Sequence, residues 1–445
     1  MRDLLNTIRQ TAISWLHSPL VHLYTGNSIL MLISRAAWMI QALTVGIYVT
    51  RVLGPARLGQ FNYSLSVIGL MTIFMMLQCD DVIIRHLIRA PSMHRVLIGS
   101  CALFKLFTFL LSGVMLCVTI FLAPKDPVIR QLIVLFYLMN FFGVLNTITL
   151  YFTAESKIRY FAYASLITCV FYSIVRLIAA FADIPLVWYG VIEISKDMLI
   201  TLILWIFYWR EGRRFRDLRY DRRVLKCIFR ASLPLFLVSL SGTLYAKTDI
   251  VMLKHFRDSE TVGYYSLACR CVENLNLIIG LLVPVFVPVL FQSAKISEEL
   301  FRRQFHRLYF MMFWLMAGLT AGTELIAWPV IRFFYGTAFL PTVPLLRIFV
   351  LTLLYASVSS VLGQWIIKTN RLFLGGLFNL SGFLINVPLN CFLILRFGAA
   401  GAAWSTLLSA PIGMVIIMMT FPEGRAELKF LLKSILTLPS FHLSR

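Results

Sequence analysis

Charge is what this chain has least of: Asp, Glu, Lys and Arg make up 14 % of its 445 residues, where soluble proteins carry about a quarter. That shortage excludes a string of water-soluble domains. Acid is scarcer still, 20 Asp and Glu against 41 Lys and Arg, for a net charge of +21. On a soluble chain such an excess would suggest nucleic acid; here no nucleic-acid partner is expected, because there is no soluble surface to hold one. No G-x-x-x-x-G-K loop occurs, which argues against ATP-driven work by this chain alone. The eight Cys form no C-x-x-C pair and no His/Cys cluster, so they read as small buried hydrophobes rather than metal or redox groups. The N-terminus lacks a short apolar core ending in a small-residue cleavage site, so no removable signal peptide is expected. Long outward-facing loops are missing too, and His255 is the only His in those that exist. A membrane polymerase or ligase, which would present its catalytic groups there, is disfavoured, and the chain is expected not to be an enzyme.

What is abundant is apolar length. Hydrophobic residues make up 59 % of the chain, mean hydropathy is +0.82, and stretches of the roughly 20 residues that a membrane helix needs recur throughout. Twelve spans are read at 27–49, 59–78, 96–122, 128–152, 160–181, 186–209, 231–253, 262–290, 308–334, 343–366, 373–395 and 399–421. The expected fold is an all-α polytopic membrane protein, organised as an N-terminal interfacial segment (1–26), a first set of six spans (27–209), a basic linker (210–230), a second set of six (231–421) and a tail (422–445). With the N-terminus inside, 26 of the 41 basic residues fall on cytoplasmic pieces and 7 on outward loops, Arg130 at the edge of its span being counted with its loop. By the positive-inside rule both termini then face the cytoplasm. The linker is the one long charge run, with nine basic and three acidic residues; it reads either as a strip seated on anionic lipid headgroups or as a substrate-binding loop. The halves also echo each other: residues 51–65 match 254–268, with Gly59 aligned on Gly263, as in transporters built from repeated bundles.

Ionisable groups inside spans cost about 2.5–3.5 kcal/mol each near the bilayer centre, so they persist where they face a cavity or a partner. Glu193, Lys196 and Asp197 have the spacing of a self-neutralising cluster, and Arg270 has Glu273 three residues on. Lys105, Arg332 and Arg347 lie near enough to span ends to snorkel. Arg35 and Arg176 have no such local explanation. Each pairs with a distant carboxylate or meets an anionic substrate in an aqueous cavity. Tyr63, Gln78, Asn140, Trp188, Tyr245 and Gln364 are polar or aromatic candidates for selecting a sugar, no better supported than packing residues.

Four stretches give the chain a likeness. They are L-I-S-R-A-A running to G-I-Y-V-T-R-V-L-G-P-A-R-L-G-Q-F at 32–61, G-Y-Y-S-L-A-C-R at 263–270, F-F-Y-G-T-A-F-L-P-T-V-P-L-L-R-I at 333–348, and F-N-L-S-G-F-L-I-N-V-P-L-N-C-F-L-I-L-R-F-G-A-A-G-A-A-W-S-T at 378–406. In these the chain resembles the polysaccharide and O-antigen repeat-unit flippases of the multidrug/oligosaccharidyl-lipid/polysaccharide exporter superfamily. The resemblance implies two six-helix lobes around a central cavity, in the bacterial cytoplasmic (inner) membrane. It implies carriage of an undecaprenyl-pyrophosphate-linked oligosaccharide, as in lipopolysaccharide assembly, to the outer leaflet by alternating access. Partners would be the lipid-linked substrate, membrane lipids, and a polysaccharide polymerase with its chain-length machinery. Carried over residue by residue, Arg35 and Arg270 fall on phosphate-binding positions, Arg176 is the matching basic case in span 5, and Gln41 stands where the peptidoglycan-precursor branch has a basic residue. The same likeness places a sodium site on Asp249, Asn386, Asn390 and Thr406, with Asn390 replacing an acidic residue of that branch. No cofactor is implied beyond coupling to Na+ or H+. A multidrug or small-molecule exporter of the same architecture is the rival reading; cationic cargo would favour acidic spans, whereas these hold eight basic residues against five acidic.

Overall fold

The computed structural model describes residues 19–437 apart from 215–216 and 372, and the side chains from residue 29 onward. Uninterrupted apolar sequence leaves the backbone one way to satisfy its polar groups in lipid, which is to bond within each segment as a helix. Among the described residues every regular element is helical. In chain order these are α1 (Pro19–Leu43), α2 (Val45–Met76), α3 (Cys79–Arg89), α4 (His94–Leu122), α5 (Pro127–Leu145), α6 (Ile148–Ala154), α7 (Arg159–Phe181), α8 (Leu186–Arg210), α9 (Arg222–Phe256), α10 (Ser259–Ile296), α11 (Glu298–Val330), α12 (Thr342–Val350), α13 (Thr352–Lys368), α14 (Phe373–Phe397), α15 (Ala399–Met419) and α16 (Pro422–Leu436). The chain is a multi-pass membrane protein. Ten helical segments of the described residues are long and apolar enough to cross a bilayer.

Ten rather than twelve has a physical reason. The segment Ile29–Arg89 runs through two expected spans, yet it breaks at Gly54, whose φ of 70° and ψ of 172° interrupt α2 just before Pro55. α8 has the length, but every 18-residue stretch of it contains Glu193, Lys196 and Asp197. Of the interfacial segment expected at 1–26, residues 19–26 form the start of α1, and the rest lies outside the described residues. The expected tail begins with a helix, α16, which docks: Arg302 meets Glu427 at 2.5 Å and Arg371 meets Glu423 at 3.2 Å.

By internal contacts the described chain divides into two units. One comprises residues up to Val49, Phe74–Leu122 and Val134–Leu233; the other comprises Thr50–Ile73, Ala123–Ile133 and the chain from Pro234 on. In the first unit, α1 packs on α7 through Ser34, whose hydroxyl bonds that of Ser165 at 2.8 Å, and Trp38, whose ring nitrogen donates to the same oxygen at 2.9 Å. Lys105 corrects the expectation of snorkelling. It is 2 % exposed and bonds Asp80 at 2.6 Å, beside Cys79 and Cys101, whose sulfurs are 3.6 Å apart.

In the second unit the repeated motifs meet each other. A Cβ on Gly59 would land on the Ser259 carbonyl, and one on Gly263 on the Pro55 carbonyl. Asn62 donates to the Ser266 hydroxyl at 2.8 Å. Gly59 with Gly263 and Asn62 with Ser266 share one sequence offset, so each residue contacts the neighbourhood of its own counterpart, as helices do across a local two-fold axis. Only glycine permits backbones to come this close. Asp258 starts α10 by accepting the Thr261 N–H at 2.8 Å, and this bond holds its carboxyl below the usual carboxylate range.

Candidate functional site

Four helices of the second unit bring one carboxylate into a polar nest. α9 carries Asp249, only 4 % exposed. Its Oδ1 accepts the Asn390 amide at 2.6 Å, and its Oδ2 accepts the Tyr265 hydroxyl at 2.9 Å and the Thr406 hydroxyl. Asn386 and Asn390 stand four residues apart on α14, so they share a face. Asn390 Nδ2 also reaches Asn386 Oδ1 at 2.7 Å. α15 supplies Thr406, together with Ser405, whose hydroxyl takes the Asn386 carbonyl at 3.1 Å. Tyr245 closes the cluster by donating to the Thr406 carbonyl at 2.9 Å. Pro388, midway between the two asparagines inside α14, lacks the N–H that would complete the helix ladder, and such breaks are tolerated where neighbouring helices supply partners.

The structure therefore brings together all four residues that the family likeness assigned to a cation. One atom in the nest is left over: Asn390 Oδ1 is buried and has no hydrogen-bond partner. With Asp249, Asn386 and Thr406 it completes an all-oxygen donor set bearing one negative charge, a chemistry suited to a hard cation rather than a thiophilic one. Lys247, two residues from Asp249, makes no ion pair with it among the described residues; its stem runs past Gly69. Asp249 and Thr406 also line a cavity of about 560 Å³, whose wall includes Lys247, Glu273, Asn276 and Tyr355.

The four anion-binding candidates are not gathered into one described cluster. Arg35 is exposed, as are Leu32 and Met39 on the same side of α1, and it forms no ion pair among the described residues. Gln41 is 7 % exposed, buried where Arg35 is not, and its amide nitrogen has no partner. Arg176 is buried in the first unit: it donates to the Tyr172 hydroxyl at 2.9 Å and stands 4.0 Å from Glu193, which Lys196 also meets at 2.8 Å. Of the cluster expected in span 6, Glu193 and Lys196 pair and are joined by Arg176 from α7, while Asp197 forms no ion pair among the described residues. Arg270 is exposed on α10, and the pair with Glu273 suggested by their spacing does not form among the described residues. Arg347 pairs with Glu324 at 3.5 Å, and Arg332 sits 4.9 Å over the Trp328 ring. Tyr265 was missed as a site residue from sequence, although it lies within the quoted 263–270 motif.

The family model described as "polysaccharide biosynthesis protein" matches residues 24–294. No curated protein sequence matches the chain. Among solved structures, an inward-facing multidrug resistance MATE family transporter of the MOP superfamily superposes with a TM-score of 0.67 at 16 % identity, covering 91 % of this chain and 99 % of that one. The lipid II flippase MurJ, in an inward closed conformation, gives 0.65 at 15 % identity, covering 91 % and 90 %. A MOP superfamily transporter from Pyrococcus furiosus gives 0.59 at 16 % identity, covering 91 % and 95 %. At these identities the likeness is one of fold.

Proposed function

We propose that this chain, which belongs to the polysaccharide biosynthesis protein family, carries a lipid-linked oligosaccharide from the cytoplasmic to the outer leaflet of a bacterial inner membrane, with both termini in the cytoplasm. The observation that carries the reading is that family membership coincides with a fold shared with a lipid flippase along 91 % of the chain. The cargo proposed is an undecaprenyl-pyrophosphate-linked repeat unit of the kind used for O-antigen. Two exposed arginines without carboxylate partners among the described residues, Arg35 and Arg270, support an anionic cargo, because guanidinium forks match phosphate oxygens. Arg176, held by Glu193 and Tyr172, is better suited to orienting that cluster than to meeting the cargo.

Coupling to a cation is the second part of the proposal. In the nest around Asp249 the Asn390 NH2 group lies between two acceptors, Asp249 Oδ1 and Asn386 Oδ1. A sodium ion would take over that bridging positive charge. Rotation of the amide would then turn the orphaned Oδ1 inward as a further ligand. Each residue thus serves either a hydrogen-bonded or an ion-bound arrangement, a local two-state element that transport could bias.

The test is reconstitution in vesicles with a fluorescent undecaprenyl-pyrophosphate oligosaccharide whose sugar is scored by accessibility to an added glycosidase. Protein-dependent translocation, accelerated by an inward sodium or proton gradient, is expected. Absence of translocation defeats the cargo assignment, and indifference to both gradients defeats the coupling. Efflux of cationic drugs from the same vesicles, without sugar-lipid movement, would establish the exporter reading instead.

A further inference from the structure

The basic segment that follows α8 is pinned to the first unit. Gly212, at φ 75°, turns the chain. The Arg219 N–H then bonds the Arg95 carbonyl at 3.1 Å, and the Asp221 N–H bonds the Ser100 hydroxyl at 3.1 Å. Gly99 makes the passage possible, since a Cβ there would land on the Arg219 backbone. Arg213 stacks 4.4 Å from the Tyr151 ring centroid and bonds His94 Nε2 at 2.5 Å.

Held in this way, the segment edges two apolar grooves of about 490 and 400 Å³. The first lies along Leu202, Ile206 and Trp209 of α8 and ends at Arg213 and Arg214. The second lies along Leu103, Leu106 and Phe141 and ends at Arg219 and Tyr220. Leu145 lines both, so the grooves adjoin. Their walls are open to the outside: Trp209 is 67 % and Leu202 50 % exposed.

We propose that the adjoining grooves bind an anionic phospholipid, one acyl chain in each groove and the phosphate against the arginine rim. Two apolar tracks meeting under a cationic edge match a headgroup that bears two chains. The rim is free to act on the ligand, because the segment's three carboxylates have other partners: Glu211 pairs with Lys157 at 2.9 Å, and the other two accept backbone N–H groups. Asp217 accepts the Arg214 N–H at 3.0 Å and Asp221 the Arg223 N–H at 2.7 Å. Among the described residues no ion pair ties up Arg213, Arg214 or Arg219. Arginines placed at the end of a span face the anionic surface of the cytoplasmic leaflet, and a tryptophan at that depth is at home in the interface. A zwitterionic lipid would satisfy the grooves but not the rim, and a soluble phosphate the rim but not the grooves. This assignment does not depend on the cargo.

The experiment uses the full-length protein in detergent, titrated with dioleoyl phosphatidylglycerol or dioleoyl phosphatidylcholine and read by native mass spectrometry. Preferential binding of phosphatidylglycerol is expected. The Arg214→Gln/Arg219→Gln double variant, altered at two exposed side chains, should bind it about 25-fold more weakly, at about fivefold per arginine, with phosphatidylcholine unaffected. Leu145→Trp, which puts a bulkier side chain on the wall that both grooves share, should weaken both lipids. Arg425→Gln, an exposed arginine of the second unit, should change nothing. Equal binding of the two lipids, an unchanged double variant, an equal loss on Arg425→Gln, or displacement of the lipid by glycerol 1-phosphate would each overturn the proposal.

Discussion

Asp249 is the residue around which the polar nest of the second unit is built, and its surroundings define two substitutions of opposite sign. Three side-chain donors satisfy it in the described arrangement. Asp249→Asn removes the only negative charge of the donor set, so sodium binding by isothermal titration should fall below detection while the helices still assemble. Asn390→Asp adds a second carboxylate at the position of the orphaned oxygen. Since hard-cation affinity rises with ligand charge, sodium should bind at least about tenfold more tightly. Unchanged sodium affinity in both variants would falsify the cation assignment. Arg35→Ala and Arg270→Ala should each abolish surface polysaccharide with normal amounts of protein in the membrane. Lysine at either position should rescue in part, because the charge remains and the fork is lost. Full polysaccharide in both alanine variants would leave these arginines without a role in holding phosphate. Arg176→Ala is expected to act differently: it exposes Glu193 to an incomplete partner set, so reduced protein level should accompany any loss of function.

At the level of elements, α10 depends on its cap and on its closest crossing. The Asp258 carboxyl has its pKa lowered from 3.8 by the Thr261 N–H that it accepts. A depressed carboxylate contributes stability that is fully present above its unfolded pKa and is lost as pH falls through the lower native value. Asp258→Ala should therefore speed amide exchange at Thr261 at pH 7, by a factor corresponding to about 0.5–2 kcal/mol for a lost cap. The difference from the parent protein should vanish in strong acid; a gap that persists there would assign the effect to something other than the charge. The glycine crossing makes a separate prediction. Gly59→Ala or Gly263→Ala must push backbones apart and should cost about 1–3 kcal/mol, read as a lower melting temperature in detergent. Gly280, on the same helix α10 and with open space where a Cβ would go, should accept alanine without such loss. Equal melting temperatures for all three variants would show that the crossing is not tight.

At the scale of the whole molecule, the legible part of the fold and the illegible part separate by physical cause. Apolar runs of bilayer length dictate helices wherever they occur, because hydrocarbon offers backbone groups no other partner; the expected spans at 96–122, 160–181, 373–395 and 399–421 accordingly coincide closely with α4, α7, α14 and α15. The break at Gly54-Pro55 was readable from the dipeptide itself. The spacing of Asn386 and Asn390 already placed them on one face. Partnership across helices was not legible. Nothing local in the sequence shows that Lys105 pairs with Asp80, that Arg176 joins Glu193, that Gln41 is buried while Arg35 is exposed, or that Tyr265 completes the Asp249 nest. These depend on rotation and close packing of helices far apart in the chain, on which hydropathy is silent because lipid and helix interior are equally apolar. The sequence by itself determined a helical membrane protein and its few costly charges. Tertiary structure alone decided which of those charges are spent on one another and which remain available to a ligand.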